Sequence, residues 1–286
     1  MSELSWVDSD GNLFPLQVPG EVRTLKGVQG RTFNPVDFDD ETVPFQAGER
    51  LRQIRHGARE VAVPLLVQGG SQQQVRDRLR LWSRRFDTTR GDGRLVSNMF
   101  GSGERELVCR FVGTLESGEQ DESDRSQRFV AVFRAFDPFW RDTSDTQLVY
   151  DLGDETQPFF PFPPLVLSGG AIFVSPTVTN GGDVDAFPVW TIQGPGGPII
   201  LTNVTTGETL GVDTTLVSSS QRVIVDTRPF RKSIVREDGT NLYGSRTSGS
   251  SLWSLAPGNN VIQVSLAGAT ADSEVRLRFR RRFLAA

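Results

Sequence analysis

Roughly the last hundred residues carry short β-type runs separated by an ordered series of turn signals, and nothing else in the chain restricts its fold as strongly. In order they are Asn180-Gly181-Gly182, Phe187-Pro188-Val189-Trp190-Thr191-Ile192-Gln193-Gly194, Asn203 to Gly207, Val223-Ile224-Val225-Asp226-Thr227, Gly239, and Trp253 to Val261. Short runs of this kind pair into antiparallel sheets that bury one face each. The closing segment alternates Val275, Leu277 and Phe279 with Arg276, Arg278 and Arg280, which directs the apolar residues inward and leaves a cationic stripe. At a terminal strand such a stripe protects a sheet edge or meets an acidic neighbour.

A chain of 286 residues is longer than one usual domain, so two are expected. Gly 29 and Pro 16 imply many turns and favour an all-β chain, while a net charge of −4 gives no general attraction to nucleic acid or anionic lipid. With one Cys, no internal disulfide forms, and Cys109 reads as a small buried hydrophobe in an alternating strand. His56 is the single histidine, too few for a structural zinc site, and its neighbours do not resemble a nucleophilic triad. No run approaches the ~18 to 20 apolar residues that span a bilayer. Met1 to Trp6 lacks the charge and apolar pattern of a secretory signal, so synthesis in the cytoplasm is expected.

In the first half, Ser5-Trp6-Val7 and Leu13 to Leu16 flank Asp8-Ser9-Asp10-Gly11-Asn12 as an opening hairpin. Glu60 to Val67 is a strand in which Pro64 demands an edge or a bulge. A helix is predicted from Ser71, with Gln74 three residues on as in a capping box and Val75, Leu79, Trp82 and Phe86 on one face. Its arginines read as a solvated face or a subunit contact. Arg105 to Leu115 and Arg128 to Phe136 form a long antiparallel pair with apolar residues at odd and even positions, so both faces are expected to meet something other than water. The polar connector Glu116 to Gln127 is expected to be mobile.

The best linker is Gln157 to Pro164, alternating Phe with Pro. Residues 1–164 hold 20 basic and 26 acidic side chains against 11 and 9 in 165–286, so the acidic excess belongs to the first half. Asp8 to Asn12 fails as a calcium loop because Pro19 stands at the twelfth position, and Gly194 to Pro198 fails as a phosphate loop because prolines remove donors. The clusters Asp37-Asp39-Asp40-Glu41 and Asp121-Glu122-Asp124 read as solvated loops rather than as an acid and base pair.

The order of these elements resembles that of phage distal tail proteins, the hub family of long-tailed phages. The resemblance rests on the Leu65-Leu66-Val67 strand before the Ser71 to Phe86 helix, the Leu107 to Leu115 strand, and Asp137-Pro138-Phe139-Trp140. In the second half it rests on Asn180-Gly181, Pro188, Asp226-Thr227, Asp238-Gly239 and Pro257-Gly258-Asn259. It implies a mainly β chain: a ring-forming N-terminal β-sandwich with one α-helix over 1–141, a linker or arm over 142–178, and a C-terminal galectin-like β-sandwich over 179–286. The family implies a structural hub, six copies in a ring at the distal end of the virion tail. That ring joins tail tube to tip proteins, carries receptor-binding or fibre proteins, and lets DNA pass without gripping it or entering a membrane. No catalytic, cofactor or metal position is expected. The interface with the next subunit is expected around Leu107, Phe111, Phe129, Phe133 and Phe136, with Trp82 and Phe86 behind them. The alternative is a carbohydrate-binding module that stacks sugars on Trp190, Tyr243 and Trp253, and a wall hydrolase ranks below it.

Overall fold

The computed structural model describes residues 3–98, 103–116, 122–123, 125–151, 171–174 and 176–286. The chain forms two units, one of residues 1–143 with 283–286 and one of residues 144–282. Most of the expected linker, including Gln157 to Pro164, and much of the connector after Glu116 lie outside the described residues.

In the first unit the strands are β1 (Glu3–Val7), β2 (Leu13–Pro15), β3 (Val22–Thr24), β4 (Val36–Thr42), β5 (Glu49–His56), β6 (Arg59–Gln68), β7 (Gly93–Asn98), β8 (Glu104–Glu116), β9 (Glu122–Ser123), β10 (Ser126–Ala135) and β11 (Trp140–Asp142). One α-helix, α1 (Gln72–Arg85), lies between β6 and β7. The main sheet runs β2-β1-β7-β8-β10-β6-β3. β8 pairs with β7 through residues 104–109 and with β10 through 110–116, so the sheet folds at this strand. Trp6 of β1 and Phe133 of β10 meet across the fold at 5.0 Å between ring centroids, which makes the unit a β-sandwich. A bulge places Val112 out of register, and the next residue, Gly113, has φ +145°, a backbone that side-chain-bearing residues rarely adopt.

The helix starts where its sequence says it should. Ser71 Oγ accepts from Gln74 N at 3.3 Å, and Gln74 Oε1 accepts from Gly70 N at 2.6 Å, one residue earlier than an ideal capping box. Val75, Trp82 and Phe86 are buried and Leu79 packs against the core. The opening hairpin also forms, with Asp8 Oδ1 accepting from the amides of Asp10 and Asn12. Pro64 sits in a strand paired on both sides, not at an edge. Its carbonyl accepts from Leu25 N, so its missing N–H faces the same side, where the chain leaves the ladder between Thr24 and Gln29.

The last residues, Phe283–Ala286, are part of this unit. Phe283 and Ala286 join its core, Arg105 stacks on the Phe283 ring at 3.7 Å, and Ala286 N donates to Arg31 O at 3.1 Å. Arg59 is fully buried, and all five of its N–H donors are used: twice on Asn34 Oδ1, and on the carbonyls of Gly30, Arg31 and Leu284. Burial pushes the guanidinium down to about 10, so it stays charged at neutral pH.

The second unit is a sandwich of two sheets. One runs β12 (Thr146–Asp151), β21 (Glu274–Phe279), β15 (Val189–Gln193), β18 (Arg222–Asp226), β19 (Ser233–Arg236). The other runs β13 (Ala171–Val174), β20 (Gly258–Ala267), β16 (Ile199–Asn203), β17 (Glu208–Val212), with β14 (Thr177–Asn180) also on β20. Tyr150 and Ile172 are in its core, so strands occupy parts of the stretch expected to be linker. The arginine stripe is on β21 between β12 and β15, not at an edge; Arg276 pairs with Glu274 and Arg280 with Asp145, each at 2.5 Å.

The turn residues of this half act as buried braces. Asn180 Nδ2 donates to Leu255 O, Asn203 Nδ2 to Asn260 Oδ1, and Thr227 Oγ1 to Pro188 O. Each satisfies backbone or side-chain groups that have no water to turn to, which is why these positions demand Asn or Thr.

Candidate subunit interface

β4 and β5 form a separate two-stranded sheet, and both of its faces are exposed. The stretch expected as a solvated acidic loop is therefore a strand, in which Asp37, Asp39 and Glu41 alternate with Val36, Phe38 and Asp40. Register assigns the faces. Val36, His56, Phe38, Ile54, Asp40 and Leu51 share one side, and Asp37, Arg55, Asp39, Gln53, Glu41 and Arg50 the other. The charged side is internally paired, with Arg52 to Glu41 at 2.6 Å and Arg55 to Asp37 at 3.4 Å. The apolar side is bare: Phe38 is 63%, Leu51 52% and Ile54 55% exposed.

A seven-residue strand reaches roughly 23 Å, so the ribbon is an arm rather than a rim. Its base is fixed. Arg59 orients Asn34, whose Nδ2 lies 2.7 Å from His56 Nδ1, and the imidazole packs edge-on to Phe139 at 5.1 Å. The sole histidine is thus a structural hinge post. Beyond it, none of the described residues covers the apolar side, and a two-stranded ribbon alone is at best marginally stable in water.

The tip has its own signature. Val43-Pro44-Phe45-Gln46 closes with Gln46 N on Val43 O at 3.2 Å and Phe45 at φ +65°, a type II turn with Phe where Gly normally sits. The left-handed backbone costs about 1 kcal/mol for such a residue. Phe45 gains nothing within the chain in exchange, since its side chain is wholly exposed. Just behind the tip, Asp40 and Glu49 lie on the same side, and a hydrogen bond from one carboxyl to the other raises Glu49 above its ordinary value, with charge repulsion adding to it.

The same unit has an open cleft of about 450 Å³ at the end of α1. Phe86, Phe111, Val112 and Gly113 line it together with Arg84 and Asp87. The β8 bulge shapes it, since Val112 is pushed outward while Phe111 turns in to stack on Phe86 at 5.0 Å.

The structure corrects the expected interface. Leu107, Phe129 and Phe133 are buried in the core of the first unit, because the apolar alternation of β8 and β10 faces the fold of their own sheet. Trp82 and Phe86 are buried with them. Phe111 is partly buried at the cleft, and Phe136 alone is broadly exposed, at 67%. The sugar-stacking set fails likewise. Trp190 and Trp253 pack edge-to-face at 5.6 Å inside the second unit, and Arg246 covers the Tyr243 ring at 3.9 Å. Among the described residues no cluster of three or more His, Cys, Asp or Glu could hold a metal, and no helix is long and apolar enough to cross a membrane. Burial pushes the Cys109 thiol far up, which leaves it inert. Of the second acidic cluster only Glu122 is described, in β9, while Asp121 and Asp124 lie outside.

Residues 181–283 match the family described as siphovirus-type tail component, C-terminal domain. The Dit protein of phage SPP1, described as a paradigm of the hub adsorption apparatus in phages that infect Gram-positive bacteria, shares the fold over 99% of both chains, at TM-score 0.70 and 15% identity. Chains from the phage p2 baseplate in its activated conformation, with Ca and with Sr, match over 100% of both chains at TM-scores 0.55 and 0.52 and 8% identity. No curated protein sequence matches the chain. The resemblance seen in the sequence is borne out: residues 181–283 match the siphovirus-type tail component family, and the whole chain shares the fold of the SPP1 Dit protein.

Proposed function

We propose that this protein is the structural hub of a long-tailed phage: copies join into a ring, six in number, at the distal end of the virion tail. The ring joins the tail tube to the tip complex, carries receptor-binding or fibre proteins on its periphery, and leaves a channel for DNA. The observation that carries this reading is the match to a hub protein over the full length of both chains, together with the tail-component family match in the second unit. The exposed arm supports it, because a ribbon with one bare apolar side is built to be covered by something outside its own chain. No bond is made or broken in this role, and DNA passes without specific contact, in keeping with the acidic excess of residues 1–164. Sugar binding has lost two of its three aromatic residues to the core.

Negative-stain electron microscopy of the purified protein at high concentration tests the reading. Sixfold rings with a central hole of duplex-DNA width are expected. Monomers alone and also in the presence of the cognate tail tube and tip proteins would overturn it.

A further inference from the structure

The ring reading leaves open how one copy grips the next, and the following step rests on that reading. We infer that the arm of one copy reaches the neighbouring copy and seats Phe45 in the neighbour's cleft between Phe86, Phe111 and Val112. The occupant of the cleft is thus a second copy of this chain.

Several independent features of the first unit converge on this pairing. Phe45 is held at the end of the ribbon with its ring wholly in solvent and its backbone in a conformation that Gly would adopt without strain. Its ring is thus open to a partner on every side. The cleft offers Phe111 and Val112 over the buried Phe86, among polar side chains, and Gly113 at its wall has open space where a Cβ would stand. Charge selects the same partners. The arm from 36 to 56 has five acidic and three basic side chains, while α1 has five arginines against the single Asp77. On the arm, Asp40 and Glu49 have no cation partner among the described residues; at the cleft, Asp87 accepts from Thr89 N and is offset by Arg90, while Arg84 has no acidic partner among the described residues. Seating Phe45 would bring the acid pair behind the tip to the arginine beside the cleft, removing an acid repulsion that the single chain cannot relieve. Arm and cleft are different surfaces of one unit, so the contact can repeat head to tail from copy to copy, as a ring requires.

The test compares the full-length wild type with Phe45→Gly by light scattering and electron microscopy, alone and with the cognate tail proteins. The glycine fits the turn, so the monomer folds as before. Loss of a buried phenyl ring should raise the protein concentration needed for ring formation about tenfold or more. A second readout mixes two single-substitution chains that keep the Phe45 ring, Gln46→Cys and Val112→Cys, both at exposed positions, under oxidising conditions. A disulfide joining one of each is expected, and Cys109 is buried too deeply to compete. Wild-type rings that Phe45→Gly forms equally well, or a cysteine mixture that assembles without that cross-link, would overturn the inference and leave the ring reading standing. A wild type that never assembles, even with its tail partners, would overturn both.

Discussion

Two hairpins in this chain end in the same Pro-Phe turn and differ in what lies beneath them. At the β18–β19 tip, Arg231 N bonds to Arg228 O at 3.1 Å and Phe230 stands at φ +62° with its side chain wholly exposed, as Phe45 does at the β4–β5 tip. These two are the positive-φ residues other than Gly among the described residues. Yet β18 and β19 bury Val223, Val225 and Ile234 in the second unit, whereas β4 and β5 bury none of their side chains. Turn chemistry and pairing are local and can be identical in both. Support is not local, and among the described residues the arm has it at its base.

That contrast is most exposed to a change at the base. Arg59→Leu removes five hydrogen bonds, three of them to the half-buried Gly30, Arg31 and Leu284 carbonyls, so it should destabilise the first unit by about 3 kcal/mol in chemical denaturation. Loss of order in the arm and release of the chain end should accompany it. A variant as stable as the wild type would show that the arm's base is held some other way. Next in size is a matched pair of truncations. Ile234→Ala under the supported hairpin should cost about 3 kcal/mol in the second unit's transition. Ile54→Ala on the arm should cost the monomer no more than about 0.5 kcal/mol and act on assembly instead. Equal costs would erase the distinction between the two hairpins.

The sequence exposes the supported parts better than the unsupported one, for physical reasons. The helix at Ser71 is legible because its cap and its apolar spacing are both written within sixteen residues, and the opening hairpin because Asp8 binds its own loop. The braces Asn180, Asn203 and Thr227 are visible as turn signals, although their burial is not. The arm hides in plain view, since Val36-Asp37-Phe38-Asp39 has a strand's period of two but the acidic residues that strands usually avoid. Arg59 has no local signature at all: its acceptors lie 25 to 225 residues away. Leu107, Phe129 and Phe133 show the limit of alternation. It tells which residues share a face, not whether that face is covered by the same chain or by another.

A smaller effect sharpens the comparison at the tips themselves. Phe230→Gly and Phe45→Gly each relieve a left-handed phenylalanine and lose no contact within the chain, so each should stabilise its hairpin by up to about 1 kcal/mol, less the entropy glycine adds to the unfolded state. Thermal melts of the two variants should agree for the monomer. A destabilised Phe230→Gly would mean that its ring is already used within the chain.

The smallest effect has opposite signs at the two hairpins. Behind the supported tip, burial pushes Asp226 up, but hydrogen bonds from the Arg228 side chain and backbone outweigh it and hold the carboxyl below 3.8. A depressed carboxylate contributes stability that is present above its unfolded value and is lost as pH falls through the folded one, so this hairpin should loosen below about pH 3.8. Behind the arm's tip, the bond to Asp40 holds Glu49 above 4.5. There the folded state binds the proton more tightly, so the ribbon tightens as pH falls through the raised value and the gain is complete below 4.5. Hydrogen exchange at two amides reads both, once corrected for the intrinsic pH dependence: Gln46, bonded to Val43 O, should become better protected from pH 6 to 4, and Arg231, bonded to Arg228 O, should hold until the acid limit. Glu49→Gln supplies an amide donor to Asp40 at every pH and should abolish the trend at Gln46 alone. A Gln46 amide that loses protection on acidification would place the acid pair apart in solution and remove the repulsion that a neighbouring arginine is expected to relieve.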